Sequence, residues 1–174
     1  MTATAQSTNA KRMQTNGARK HPGPEQRRLD VLVGSWKMEG QQYEGDAGSA
    51  AKIRAEETFE WLPGGMFLVH RLVGRIGDAE MACIEIIESD RAAGRYRMHT
   101  FYNDGNAQDW QLAEQDGGWL ITGDWPMPDG SKRHVRCTQR FEKGDELRTA
   151  KWESSEDGTR WTTFWDTTST RKDG

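Results

Sequence analysis

Ten consecutive segments of this chain alternate apolar and polar residues, and a turn signal separates each segment from the next. Alternation with a period of two places successive side chains on opposite faces of a β-strand. The turns include Pro-Gly-Gly at 63–65 and the hairpin signal Asn-Asp-Gly-Asn at 103–106. The predicted strands cover residues 35–43, 51–62, 66–76, 80–88, 95–102, 107–114, 119–125, 132–142, 146–153 and 160–170.

The connections between these strands are short, and no helical crossover is predicted among them, so neighbouring strands pair antiparallel. An open meander of ten strands has two unpaired edges, which closure into a barrel removes. A short helix is predicted at 25–33, because Leu29, Leu32 and Val33 follow helical spacing and Gly34 suits a helix end. The fold class is therefore all-β: a ten-stranded antiparallel up-and-down barrel with a short N-terminal helix closing one end.

The chain of 174 residues is predicted to form one folded domain, residues 25–174, preceded by a basic tail. Residues 1–24 contain four Lys or Arg, no acidic residue and no apolar periodicity. A segment of that composition buries too little apolar surface to offset the entropy lost on ordering. We therefore expect residues 1–24 to be a disordered basic tail.

Charge and hydropathy exclude several classes of partner. The net charge is −3 although the tail is basic, so the predicted domain is acidic, and we expect no nucleic-acid partner. No segment is apolar over the length of a membrane span, and the N-terminus lacks the apolar core of a secretory signal. Cys83 and Cys137 are expected as reduced thiols in a cytoplasmic protein, with a single disulfide as the alternative. The oligomeric state is left open, with a homodimer among the alternatives.

Three segments resemble known barrel proteins. The Gly-Ser-Trp-Lys-Met-Glu-Gly run at 34–40 is similar to the Gly-x-Trp motif of lipocalin, fatty-acid-binding and nitrobindin-like barrels, which are calycin-like folds. Residues 63–69 and 165–172 resemble a bacterial domain-of-unknown-function family with that fold. The resemblance implies a barrel that holds a small apolar molecule. Nitrobindins bind haem through a histidine near the last strand, where this chain has Asp166 and threonines, so haem binding by that arrangement is not expected.

One carboxylate stands out in the fourth predicted strand. Glu85 shares its face with Met81, Cys83 and Ile87, so an inward orientation would place a carboxylate in the lumen. A buried carboxylate needs a partner, and Arg71 or Arg97 is expected to supply one. Glu85 then either forms an internal ion pair or orients the polar end of a ligand.

Histidines and tryptophans complete the candidate site. The histidines His70, His99 and His134 occur on three strands without metal-ligand spacing, and no nucleophile motif or phosphate loop is present, so we expect no metal, no cofactor and no assigned catalytic residue. Tryptophans crowd the second half of the chain and are suited to an aromatic cavity. The candidate ligand-binding residues are Trp36, His70, Glu85, His99, Trp110, Trp125 and Trp165.

Three functions fit these features. The leading hypothesis is the binding of a small hydrophobic or amphipathic molecule inside the barrel. The alternative is a cofactor-independent isomerase or cyclase that uses the lumen as its active site, with Glu85 or a histidine as acid and base. The third is an association protein whose lumen is filled by its own tryptophans.

Overall fold

The fold was obtained as a computed structural model, which describes residues 21–44, 49–90 and 93–172. The predicted tail lies outside the described residues as far as residue 20, and Pro24 is the first residue of the helix. Among the described residues, no helix has the length and apolar character needed to cross a membrane. Cys83 and Cys137 are not joined to each other or to any other cysteine.

Ten antiparallel strands form a closed barrel in the order β1-β10-β9-β8-β7-β6-β5-β4-β3-β2. Each strand pairs with its neighbours in sequence, and β1 pairs with both β2 and β10. The predicted fold class is therefore confirmed, and the predicted strand ends lie within two residues of those observed. The strands are β1 Gly34–Glu44, β2 Ser49–Trp61, β3 Phe67–Ile76, β4 Ala79–Asp90, β5 Arg95–Tyr102, β6 Ala107–Gln115, β7 Gly118–Pro126, β8 Lys132–Glu142, β9 Leu147–Ser155 and β10 Thr162–Arg171.

The N-terminal helical segment lies across one end of the barrel. It consists of an α-helix, α1, Pro24–Arg28, and a 3-10 helix, Leu29–Leu32. Trp36 is fully buried where this segment meets the barrel, and its Nε1 donates a hydrogen bond to the Leu32 carbonyl oxygen at 2.8 Å. Gly34 joins the two at a φ of +126°, a conformation that only glycine adopts without strain.

Side chains of the barrel fix the helical segment in place. Trp61 Nε1 donates to Asp30 Oδ1 at 2.8 Å, and the Tyr96 hydroxyl donates to the Glu25 carbonyl oxygen at 2.9 Å. From β10, Arg171 donates to the carbonyl oxygens of Val31 and Val33, and its guanidinium lies 4.2 Å from the centre of the Trp36 ring. The helical segment and the residues that hold it form a packed floor at this end of the barrel.

Candidate functional site

A cavity of about 660 Å³ occupies the lumen above this floor. It extends from Leu32, beside the helical segment, to the opposite end of the barrel, where Gln42, Asn106 and Pro126 line it. Side chains from all ten strands reach it, because every strand presents alternate residues to the inside. The volume is in the range typical of small-molecule sites.

Five aromatic side chains from four strands form one wall of the cavity. Trp110 and Trp152 meet edge to face with their ring centres 5.4 Å apart, and Trp152 lies 6.4 Å from Phe164. Phe164 in turn lies 5.0 Å from Trp125 and 6.0 Å from Trp165. Spacings of 4.5–7 Å are those of interacting aromatic pairs. The wall offers an extended apolar surface for a flat or elongated molecule.

A ladder of polar side chains crosses the opposite side of the lumen. His70 on β3 is directly opposite Glu85 on β4, which is directly opposite Thr100 on β5. His70 Nδ1 lies 2.7 Å from Glu85 Oε2, and the Thr100 hydroxyl donates to Glu85 Oε1 at 2.9 Å. Trp110 Nε1 donates to the Thr100 hydroxyl oxygen at 3.1 Å, which joins the ladder to the aromatic wall. Strand register alone therefore assembles this side of the site.

A second carboxylate, Glu57 on β2, connects the ladder to β9 and β10. Glu57 Oε2 accepts a hydrogen bond from Arg148 Nη2 and lies 3.2 Å from His70 Nε2. Glu57 Oε1 accepts a hydrogen bond from the Ser169 hydroxyl at 2.7 Å. We call Glu57, His70, Glu85 and Arg148 the charged cluster. All four residues line the cavity.

The charged cluster shifts the pKa values of its own members. Burial lowers the pKa of His70, but the carboxylates of Glu85 and Glu57 outweigh burial and raise it to about 9. His70 is therefore protonated at neutral pH, and its Nδ1–H donates to Glu85. Burial raises the pKa of Glu57, but Arg148 and His70 outweigh it and hold that pKa well below its usual range. Two anions thus face two cations inside the barrel.

Aromatic rings enclose the two cations of the cluster. The His70 ring stacks on Phe59 with centres 4.0 Å apart and planes 4° from parallel. The Arg148 guanidinium lies 5.2 Å from the centre of the Trp36 ring and 5.1 Å from that of Phe59. Both distances are within the range of a cation–π interaction. These contacts pack the two cations of the cluster against Phe59 and against Trp36 of the floor.

The structure brings five of the seven predicted ligand-binding residues to the cavity: His70, Glu85, Trp110, Trp125 and Trp165. The face of β4 that carries Met81, Cys83, Glu85 and Ile87, whose orientation the sequence left open, lines the cavity.

The other two predicted residues, Trp36 and His99, lie elsewhere. Trp36 belongs to the floor and is not among the residues that line the cavity. His99 is on the outer face of β5, because its neighbours Met98 and Thr100 are inward and buried; its Nδ1 lies 2.6 Å from Asp109 Oδ1. A residue between two inward neighbours on a strand cannot reach the lumen.

The prediction that Arg71 or Arg97 pairs with Glu85 was wrong, because both arginines lie on the outer face of their strands. Arg71 follows the inward His70 on β3 and lies on the outside, 3.6 Å from Glu60. Arg97 is also outside and forms a 2.6 Å ion pair with Asp90. The actual partners of Glu85 are His70 and Thr100.

Six residues of the site were not among those predicted: the polar residues Glu57, Thr100, Arg148 and Ser169, and the aromatic residues Trp152 and Phe164. The signal for Glu57 was present, since it is in phase with the apolar residues Ile53, Ala55 and Phe59 on the inward face of β2. A charged residue in the apolar phase of a strand indicates a buried partner.

The arrangement does not favour a metal. Within the described ranges, no three His, Cys, Asp or Glu side chains are grouped to hold a metal ion. Both ring nitrogens of His70 already face carboxylates. Burial, reinforced by the charges of Glu85 and Glu57, raises the pKa of the Cys83 thiol, so the thiol is protonated at neutral pH and is a poor nucleophile or ligand.

Comparison with known proteins places the chain within a family and a fold. Residues 21–171 match the family described as "Protein of unknown function (DUF1579)". Among solved structures, Rv2717c from M. tuberculosis is similar with a TM-score of 0.62 and 12% identity, over 87% of this chain and 99% of that one. The S-type phycobiliprotein lyase CPES from Guillardia theta is similar with a TM-score of 0.58 and 9% identity, over 86% and 93% of the two chains. No curated protein sequence gave a significant match.

Proposed function

We propose that this chain, which belongs to the DUF1579 family, binds a small hydrophobic or amphipathic molecule inside its barrel. The observation that carries the proposal is the cavity of about 660 Å³, in which an aromatic wall faces a buried charged cluster. Ligand sites combine apolar surface with a few placed polar groups in this way. The aromatic wall binds the apolar part of the ligand, and the charged cluster fixes the orientation of its polar end.

The similarity to the phycobiliprotein lyase supports the barrel fold, and at 9% identity it carries no common activity. We also propose that the barrel is calycin-like and that the protein is cytoplasmic. We likewise propose a small molecule, and no nucleic acid, as the partner, because the net charge of the chain is negative.

The proposal is tested by filling the cavity. Leu72 is buried on β3 and lines the cavity, whereas its neighbour Val73 is exposed on the outside. We expect the neutral dye Nile red to bind the wild-type protein, and Leu72→Trp to weaken that binding at least tenfold. Val73→Trp makes the same chemical change on the other face and should bind as the wild type does. Native mass spectrometry of freshly purified protein would show any ligand that co-purifies.

Thermal melts establish that both variants are folded before binding is compared. Equal binding by Leu72→Trp and Val73→Trp would contradict a lumen site, as would absence of Nile red binding to wild type. A loss confined to Leu72→Trp supports it.

A second candidate function is a cofactor-independent isomerase or cyclase, and one observation favours it. His70 lies between two carboxylates, 2.7 Å from Glu85 and 3.2 Å from Glu57, and lines the cavity. A protonated imidazole beside a carboxylate can give a proton to a bound molecule while the carboxylate removes one. The lumen would exclude water from such a reaction.

Hydrogen exchange distinguishes this candidate from simple binding. A proton-shuttling enzyme would incorporate deuterium from D₂O into a carbon position of the bound molecule, which mass spectrometry detects as a shift of one mass unit. His70→Gln should abolish that shift. A ligand that co-purifies and never exchanges would support binding alone.

A further inference from the structure

From the charged cluster we infer that the molecule taken by the barrel enters with a hydrogen-bond donor and without a negative charge at its inner end. This inference rests on the proposed function and specifies the ligand class of the same cavity.

The charges of the cluster are balanced before any ligand arrives. Glu57 and Glu85 supply two negative charges, and Arg148 and His70 supply two positive ones. An unpaired arginine in an apolar lumen would attract a carboxylate strongly. Arg148 is already paired with Glu57, so the cluster offers no surplus positive charge to an anionic ligand.

The N–H donors of the cluster are either engaged or covered. Arg148 Nη2 donates to Glu57 and, at 3.2 Å, to the Ser169 hydroxyl oxygen. Arg148 Nε and Nη1 and His70 Nε2 are buried without a hydrogen-bond partner, and the Arg148 guanidinium packs against the rings of Trp36 and Phe59. His70 directs one nitrogen to each carboxylate, and one face of its ring is covered by Phe59.

The acceptor side of the cluster is the part that a ligand meets. The Glu85 side chain is 14% exposed, compared with 7% for His70, 3% for Arg148 and 1% for Glu57. Each Glu85 oxygen accepts one hydrogen bond, from Thr100 or His70, and each carboxylate oxygen can accept a second. At Glu85, the most exposed member of the cluster, the free hydrogen-bonding capacity is therefore an acceptor with negative charge.

Neighbouring groups do not change the negative sign of the charge at Glu85. Tyr102 and Cys83 line the cavity, and burial together with the charge of Glu85 raises the pKa of each, so both are neutral at physiological pH. Arg133 lines the cavity on β8, and its Nη2 forms a 2.9 Å ion pair with Glu156. Its Nε, like Nε1 of the cavity-lining Trp165, is a buried donor without a hydrogen-bond partner. A carboxylate placed beside Glu85 would face a like charge in a medium of low dielectric, which is unfavourable.

The ligand class that follows is a flat or elongated apolar molecule ending in an alcohol, an amine or a ring N–H. Its donor would bind Glu85, and its apolar part would lie on the aromatic wall.

The test compares three head groups on one ring system, measured by displacement of Nile red at pH 7.5. The probes are naphthalen-2-ylmethanol, naphthalen-2-ylmethylamine and naphthalene-2-carboxylate. We expect the alcohol and the amine to bind at least tenfold more tightly than the carboxylate. In Glu85→Gln, which removes the negative charge and keeps the shape, that difference should fall below threefold.

Glu88→Gln is the matched control, because Glu88 is an outer-face residue of the same strand, 3.7 Å from His99. It should leave the order of affinities unchanged. The affinities of the three probes for the wild-type protein test the inference by themselves, even if Glu85→Gln fails to fold. Tight binding of the carboxylate would overturn the inference and leave the proposed function standing, whereas absence of Nile red binding would overturn the proposed function itself.

Discussion

Removing the buried charge of Glu57 should destabilise the protein strongly. In Glu57→Gln the amide keeps the shape of the side chain and can still accept the hydrogen bond that Ser169 donates to Oε1. What is lost is the negative charge opposite Arg148, whose side chain is 3% exposed. Because a buried cation then lacks its counter-charge, we expect a loss of about 3–5 kcal/mol in the free energy of unfolding.

The double variant Glu57→Gln/Arg148→Gln isolates the interaction between the two charges. It removes both members of the pair and leaves His70 with Glu85, which are themselves of opposite charge. We expect it to be more stable than Glu57→Gln, with a coupling energy on the order of 2 kcal/mol.

The assay is urea denaturation followed by tryptophan fluorescence, with circular dichroism as a second probe and the m-value compared among variants. Glu56→Gln is the matched control: Glu56 is the adjacent, exposed residue and forms a 2.9 Å ion pair with Lys172. An exposed pair of this kind is worth about 1 kcal/mol or less. The reasoning is refuted if Glu57→Gln lowers the free energy of unfolding no more than Glu56→Gln does. It is also refuted if the loss in the double variant equals the sum of the losses in Glu57→Gln and Arg148→Gln.

Two further predictions concern the floor and the pH dependence. Trp36→Ala removes a fully buried ring and should lower the free energy of unfolding, measured by urea denaturation, by about 3–5 kcal/mol. Trp161→Ala is the control, because the Trp161 ring lies on the outside against Arg136. An equal loss of stability in Trp161→Ala would contradict a special role for the floor. The pKa of His70 is raised from 6.5 to about 9 in the folded protein, so its contribution to stability is full below pH 6.5 and is lost as the pH rises through 9. Unfolding measured from pH 6 to 10 should show a decline of up to roughly 3 kcal/mol that His70→Gln removes, and an unchanged slope in that variant would contradict the assignment.

Much of the barrel could be predicted because each strand carries its own signal. The phase of alternation grouped Glu85 with Met81 and Ile87 on one face of β4, and in the structure that face lines the cavity. The same rule, applied to β5, puts His99 outside, since Met98 and Thr100 are the inward residues. That error came from selecting a residue by its chemistry without regard to its phase.

The partners within the charged cluster could not be predicted from any local pattern. Glu57 is 91 residues from Arg148, and their contact depends on the register of every strand between them. Once register is known, His70 and Glu85 follow as directly opposed residues on β3 and β4. Arg148 lies in phase with Ala150 and Trp152, so its inward orientation could be predicted from the sequence. Its partner could not be predicted in this way.

The seam between β1 and β10 is the one strand pairing of the barrel that needs both ends of the domain to be present. At this seam, Arg171 of β10 donates a hydrogen bond to the Val31 carbonyl oxygen, 140 residues away in the sequence. The other strand pairings of the described barrel join strands that are adjacent in sequence. Contacts between residues so distant in sequence form late, because the entropy of closing a long loop is lost before they gain anything. During synthesis, β1 to β9 can form a curved sheet whose two edges are unpaired, and the cavity has no complete wall until β10 emerges. Ligand binding and protection of the sheet edges therefore arise in a single closing step.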